Sequence, residues 1–424
     1  MGNESRCTNA LPPAVVSRGA CATTSADTGC GATMPVSAPS PPALLRPVAG
    51  GVLALAAAMG IGRFAYTPIL PAMQRVAHLD TAQAGFLAAA NYAGYLVGAL
   101  LIVVAVPVAA RRGVLAVSLA TVVATTALMA TTTSPLLWGV VRFLSGLASA
   151  GVFVLASGLV LDVLRRGGQA SRSGWLYMGP GLGIAVSGLV VRVAGAALGW
   201  RGDWLVLALL AAAAVYPCWR WLPREGRAGT PVTAPHPMPI PASPAVLPLL
   251  FAAYTLEGVG YIVTGTFLVA IVERMPGLEG WGASVWIVVG LAALPASVLW
   301  AKSAGRLGYP RALALAYGVQ ACGILLPTLG SAVAAVAAAL LFGGTFIGIS
   351  ALTLALAGHH APHGSARLIG MLTAAYGLGQ VIGPVLAGLL VARTGSFGPA
   401  LLAASAMVVL GGGLMLALSH LDRK

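Results

Sequence analysis

The sequence predicts an all-α membrane protein with twelve transmembrane helices in two groups of six, and three observations predict it. Of 424 residues, 58% are hydrophobic and only 8% charged, where a soluble domain carries about a quarter charged residues. Apolar runs longer than about 18 residues, each enough to cross a hydrocarbon core, recur along the chain. They do not alternate in ten-residue segments, so helices rather than a barrel must satisfy the backbone. The longest loop between apolar runs, Pro223 to Pro244, is dense in proline and falls between the sixth and seventh of them.

Residues 1–43 are rich in Ala, Pro, Ser, Thr and Gly, lack helical periodicity and read as a disordered tail, with Met34 as an alternative start. Spans are then expected at 48–73, 82–106, 114–132, 135–162, 174–197, 203–220, 245–271, 283–301, 312–330, 332–356, 368–391 and 398–419. These divide into an N-terminal set over 44–222, a linker over 223–244 and a C-terminal set over 245–420. With the N-terminus inside, one set of loops collects Arg111, Arg112, Arg165, Arg166, Arg172, Arg220, Arg224, Arg227, Lys302, Arg306, Arg311 and Arg367. The opposite loops hold only Arg75, Arg201, Arg274 and Arg393, so the positive-inside rule puts both termini in the cytoplasm. The net charge of +14 is therefore a topology signal, and no nucleic-acid partner is expected.

The two sets show traces of a repeat. Gly60, Ile61 and Gly62 before Arg63 correspond to Gly258, Val259 and Gly260 before Tyr261, with Leu70 and Leu268 at the same offset.

Charge inside the spans points to function. Arg63, Arg142 and Glu257 are the ionisable residues far from any span end, and a charge at bilayer depth is costly unless it faces a wet or protein-lined interior. The other nine acids, Glu4, Asp27, Asp80, Asp162, Asp203, Glu225, Glu273, Glu279 and Asp422, fall in tails, loops or span ends, leaving Glu257 as the lone intramembrane carboxylate. Facing Arg63 or Arg142, it either ties the two sets together or exchanges a coupled proton. Guanidinium offers a planar fork of donors that suits a carboxylate or phosphate. Two central arginines against one glutamate leave a positive excess, which favours an anionic solute.

Tyr66 follows Arg63 by three residues and Tyr261 follows Glu257 by four, so each shares a helical face with a charge, as do Asn91 and Tyr95 with each other. The expected solute-binding set is Arg63, Tyr66, Asn91, Tyr95, Arg142, Tyr261 and Thr264, with Glu257 carrying the proton. Tyr92, Gln320, Tyr376 and Gln380 lie at similar depth.

Several features have plainer readings. Asp162 with Arg165 and Arg166 is an interfacial ion pair, and His359, His360 and His363 form a solvated loop rather than a metal site. Gly94 with Gly98, and Gly379 with Gly383, allow helices to approach closely. The five cysteines have no ligand spacing. No phosphate-binding loop, metal motif or nucleophile with its base is present, so neither an enzyme nor a cofactor is expected.

GIGRFAYTPILP in span one, NYAGYLVGAL in span two and EGVGYIVTGTFL in span seven resemble the YbfB/YjiJ-type branch of the major facilitator superfamily over residues 48 to 420. That resemblance implies two six-helix bundles around a central cavity lined by spans one, four, seven and ten, working by alternating access in a bacterial inner membrane, without an obligate protein partner. It also implies a gate latch after span two. Arg111, Arg112 and Gly113 match its basic end, with Lys302, Gly305 and Arg306 in the second half, but the latch's aspartate is missing from both. Gly379, Gly383, Pro384 and Gly388 resemble the glycine–proline pattern of superfamily antiporters. The expected function is thus secondary transport of a small organic, anionic solute with protons. Proton-antiport efflux and a transport-dead sensor or scaffold are the alternatives.

Overall fold

The computed structural model describes residues 41–222, 246–360 and 365–421, and every element among them is helical. The helices are α1 (Pro41–Leu55), α2 (Tyr66–Val76), α3 (Thr81–Ala105), α4 (Arg111–Leu128), α5 (Pro135–Arg166), α6 (Met178–Trp221), α7 (Val246–Val272), α8 (Gly282–Leu307), α9 (Tyr309–Leu325), α10 (Ala332–His360), α11 (Ser365–Thr394) and α12 (Gly398–Leu421). Among the described residues, 11 helical stretches are long and apolar enough to cross a membrane. Residues 1–40 of the expected tail, the linker, His363, and Cys7, Cys21 and Cys30 lie outside the described residues, whereas the last three tail residues, 41–43, open α1, and His359 and His360, expected in a loop, continue α10 to its end.

Ten of the expected spans match one stretch each. The fifth and sixth are joined in one 50-residue stretch, Arg172–Trp221. No loop separates them, because the chain turns within α6 at Gly199, whose φ of 64° and ψ of 179° are non-helical. A left-handed φ suits glycine, which has no Cβ to clash. Asp203, four residues past that turn and so at a span end as expected, is nonetheless packed and 1% exposed.

Span one is broken where its charge sits. Pro68 has no N–H to donate to the Phe64 carbonyl, and its ring clashes with that oxygen in a regular helix. The chain yields by widening upstream: the Gly62 amide reaches back five residues to the Ala57 carbonyl at 2.8 Å, and the Phe64 amide to Met59 at 3.1 Å. The turn tightens downstream, where the Thr67 amide donates to Phe64 at 3.2 Å. The π-turn Ala56–Ile61 and the break after it leave the Gly62 and Arg63 carbonyls to side chains, a common cause of functional irregularity in helices.

Glycines set how closely the helices cross. A Cβ on Gly60 would run into Gly183 of α6, and one on Gly258 into the Tyr376 carbonyl of α11. The two corresponding glycines thus make the same kind of contact, span one against five and span seven against eleven. Gly98 lies against α5, and Gly379 against α7, which is the packing role expected of those pairs.

The N-terminal helices α1–α6 touch α7–α12 along α6 and α8, from Ser297 donating to the Gly174 carbonyl at 3.0 Å to Gly188 against Ala283, and along α3 and α11, from Leu96 beside Gly377 to Gly85 at Pro384. Span one closes on span seven towards the face bearing the loops at 77–80, 273–281 and 395–397. There the Thr67 hydroxyl donates to the Gly265 carbonyl at 2.7 Å, Arg274 donates to Thr81 at 3.2 Å, and Arg75 lies 4.0 Å from Glu273. Gly85 abuts Pro384, and a Cβ on Gly388 would come within 2.8 Å of the Thr81 carbonyl. Towards the opposite face, Phe153, Tyr177, Ser350 and Tyr376 are half-buried.

Candidate solute and coupling site

Arg63 projects from the broken turn of span one and is 3% exposed. Three rings surround its guanidinium, with the carbon 4.3 Å from the Tyr95 centroid, 4.7 Å from Tyr92 and 5.3 Å from Phe64. Each such contact is worth about 2 kcal/mol when desolvated. Its Nη2 donates to Gln380 Oε1 on α11 at 2.5 Å, and Gln380 Nε2 donates onward to the Tyr261 hydroxyl on α7. The expected partner is not there: Arg63 and Glu257 form no ion pair, and the α11 amide stands beside Arg63 instead. Its Nε has no partner at all.

Arg142 on α5 has a different task. Its Nη1 donates to the Gly62 carbonyl at 3.2 Å and its Nη2 to the Arg63 carbonyl at 3.1 Å, while Ser145 donates to Gly62 at 3.0 Å. The side chain expected to meet solute instead fills the hydrogen-bonding deficit that Pro68 creates. Tyr66 lies beneath it, ring centroid 4.8 Å from the guanidinium, and spends its hydroxyl on the Ala84 carbonyl at 3.1 Å. Asn91 donates to the Arg142 carbonyl at 2.9 Å, with its Oδ1 unpartnered. Tyr66, Asn91 and Arg142 thus form a scaffold behind Arg63. Tyr95 faces Arg63 itself and meets Phe153 edge-on at 6.3 Å.

Glu257 on α7 is fully buried, and neither carboxylate oxygen has a hydrogen-bond partner. Gln320 of α9 faces it, also without a completed bond. Tyrosines enclose the region: Tyr317 donates to the Ala253 carbonyl at 3.1 Å, and Tyr254 stacks on Tyr376 with centroids 4.2 Å apart. Tyr376 lies 5.4 Å from Tyr261, which is 6.2 Å from Phe346, all with planes within 10°. Thr264, fully buried, has an unpartnered hydroxyl. Asp203 on α6 is also hidden and unpartnered, but it sits in the first turn after Gly199, so Glu257 is the carboxylate far from any helix end among the described residues.

Gln380 and Tyr92 touch Arg63 but stood outside the expected set. A signal existed, because Gln380 follows Tyr376 by four residues and shares its face of α11. No cluster of three or more potential metal ligands occurs among the described residues. The ion pairs of Asp162 with Arg165 and Arg166, at 3.3 and 2.7 Å, are present as expected.

Long apolar helices, a broken span carrying buried charge and glycine-mediated crossings define a multi-pass membrane transporter, not an enzyme. Residues 55–416 match the family model described as "Uncharacterised MFS-type transporter YbfB", and the chain belongs to that family of the major facilitator superfamily. No curated protein sequence matches the chain significantly. Among solved structures, it is similar to a mutant form of the nucleoside transporter NupG, with a TM-score of 0.70 and 15% identity, over 88% of this chain and 99% of that one. It is also similar to a D-xylose-proton symporter, with a TM-score of 0.65 and 13% identity, over 88% and 96%. At these identities the likeness is one of fold.

Proposed function

We propose that this chain is a proton-coupled secondary transporter of a small organic solute bearing an anionic group, held by Arg63, with Glu257 exchanging the proton. One observation carries the reading: two buried groups of opposite charge, on helices from the two halves, do not pair with each other or with any other charged residue among those described. A buried charge without a partner is costly, and intramembrane charges are by default functional. An anion arriving at Arg63 and a proton residing on Glu257 would neutralise both. The rings around Arg63 and the Tyr254–Tyr376–Tyr261 stack supply the apolar surface for the rest of the solute, with Tyr95, Tyr261 and Thr264 as polar contacts.

Alternating access needs two bodies. If each leg of α6, 178–198 and 200–221, crosses the membrane, the chain has twelve crossings in two bundles, 44–222 and 245–420, joined by a linker at 223–244. With both termini in the cytoplasm of a bacterium, the face where span one closes on span seven is periplasmic, and that closure supports an inward-facing state in which α6 and α8 stay in contact. The glycine–proline pattern of α11 lies against α7 and α3, so packing accounts for it and the antiport reading gains nothing from it.

The test is reconstitution into proteoliposomes with an imposed proton gradient, offered a mixture of carboxylic acids, with lumenal content read by mass spectrometry. Accumulation driven by the gradient is expected. Glu257→Gln should abolish the accumulation yet keep gradient-free exchange, and Arg63→Ala should abolish both. Expulsion under the same gradient would instead indicate antiport, and unaltered accumulation by Glu257→Gln would remove the coupling role.

A further inference from the structure

The contact between Arg63 and Gln380 is the shortest side-chain bond to a cation in the site, and it joins the two halves of the chain. Arg63 rides on span one. Gln380 Oε1 sits at 2.5 Å from Nη2, and the same amide donates from its other end to Tyr261 on α7. Gln380 is 2% exposed, and Tyr261 equally so. An amide oxygen is a neutral acceptor carrying only a partial negative charge. It occupies one arm of a guanidinium fork whose geometry a carboxylate satisfies with two oxygens.

We infer that Gln380 is a built-in stand-in for the solute's anionic group: the incoming anion displaces its Oε1 from Arg63, which frees the amide and undoes the Arg63–Gln380–Tyr261 bridge. The proposal deepens, and rests on, the reading of Arg63 as an anion anchor. Displacement is favourable because a charge-assisted bond between two ions is stronger than one between an ion and a neutral amide. It also links binding to movement. Once the anion is held by Arg63, Gln380 no longer ties span one to α11, and the ring of Tyr261 loses its fixed partner. A ligand shifts a conformational equilibrium only through contacts that differ between the two states, and this bridge is such a contact.

The experiment is isothermal titration of purified full-length protein with paired probes of like shape, acetate against acetamide and benzoate against benzamide, at millimolar concentrations. Gln380→Leu removes the competing acceptor, so the carboxylates should bind roughly tenfold more tightly than to the unaltered protein, the amides unchanged. Gln380→Met, which fills similar space without an amide oxygen, should give the same gain and serves if Gln380→Leu does not fold. Gln380→Glu neutralises Arg63 from within and should abolish the carboxylate response. If carboxylates bind the unaltered protein through Arg63, as shown by loss in Arg63→Ala, yet Gln380→Leu binds them no better, the displacement is wrong while the anchor stands. If neither the unaltered protein nor Gln380→Leu distinguishes carboxylate from amide, the anchor falls with it.

Discussion

Two arginines that look alike in sequence do opposite things at the residue scale. Arg63 keeps its head among three rings and one amide, whereas Arg142 gives each terminal nitrogen to a carbonyl of span one. The count of two central cations against one acid therefore overstates the charge free to meet a solute. The case for an anion thus rests on Arg63 alone. Arg142→Ala should strand the Arg63 carbonyl and leave Gly62 with only Ser145, costing about 1–3 kcal/mol for an unsatisfied buried group. Ser145→Ala should cost less, about 0.5–1.5 kcal/mol, because Arg142 still serves Gly62. Apparent melting temperature in detergent reads both, and equal losses would contradict the division of labour. Residue types and depth were legible in the sequence. Side-chain direction was not, because the π-turn rotates Arg63 away from the face that ideal helical spacing assigns to it.

At the scale of the element, span one is two helices held at an angle that local chemistry dictates. Pro68 forbids continuation, and α5 supplies the missing donors, so the break is supported from outside. Pro68→Ala restores the N–H and removes the ring clash. The turn should then relax towards a regular α-helix, drawing the Gly62 and Arg63 carbonyls back into intrahelical bonds and swinging Arg63 out of register with Gln380. We expect equal or higher thermal stability together with a loss of transport, a combination that a merely destabilising substitution cannot give. Gly60→Val should do the reverse, destabilising by about 1–3 kcal/mol as its side chain meets the Gly183 backbone. Span positions were readable from hydropathy because each helix must cover the same apolar thickness. The turn at Gly199 was not, because one glycine at positive φ bends the helix without the polar loop that marks other ends.

For the whole molecule, the Gly60/Gly258 correspondence was visible in sequence, whereas the conformational state proposed above was not, since it depends on which faces of already formed helices touch. That state makes a prediction of its own. Thr67 and Thr266 lie towards the tightly packed face, where Thr67 bonds to Gly265 and Thr266 lies 3.5 Å from the Tyr92 hydroxyl, and they are 2% and 1% exposed. Ser350, bonded to the Tyr376 hydroxyl at 3.5 Å, is half-buried towards the other face. In a background with native cysteines replaced by serine, Ser350→Cys should react with a membrane-impermeant maleimide offered to inside-out vesicles. Thr67→Cys and Thr266→Cys should stay unreactive from either side. Turnover requires the packed face to part, so the same Thr266→Cys protein should gain reactivity from the outside when a proton gradient and a transported acid are supplied together. Alternating access at this site would be refuted if Thr266→Cys stayed silent while transport proceeded, because no path would then lead from the periplasm to Arg63 between α3 and α7.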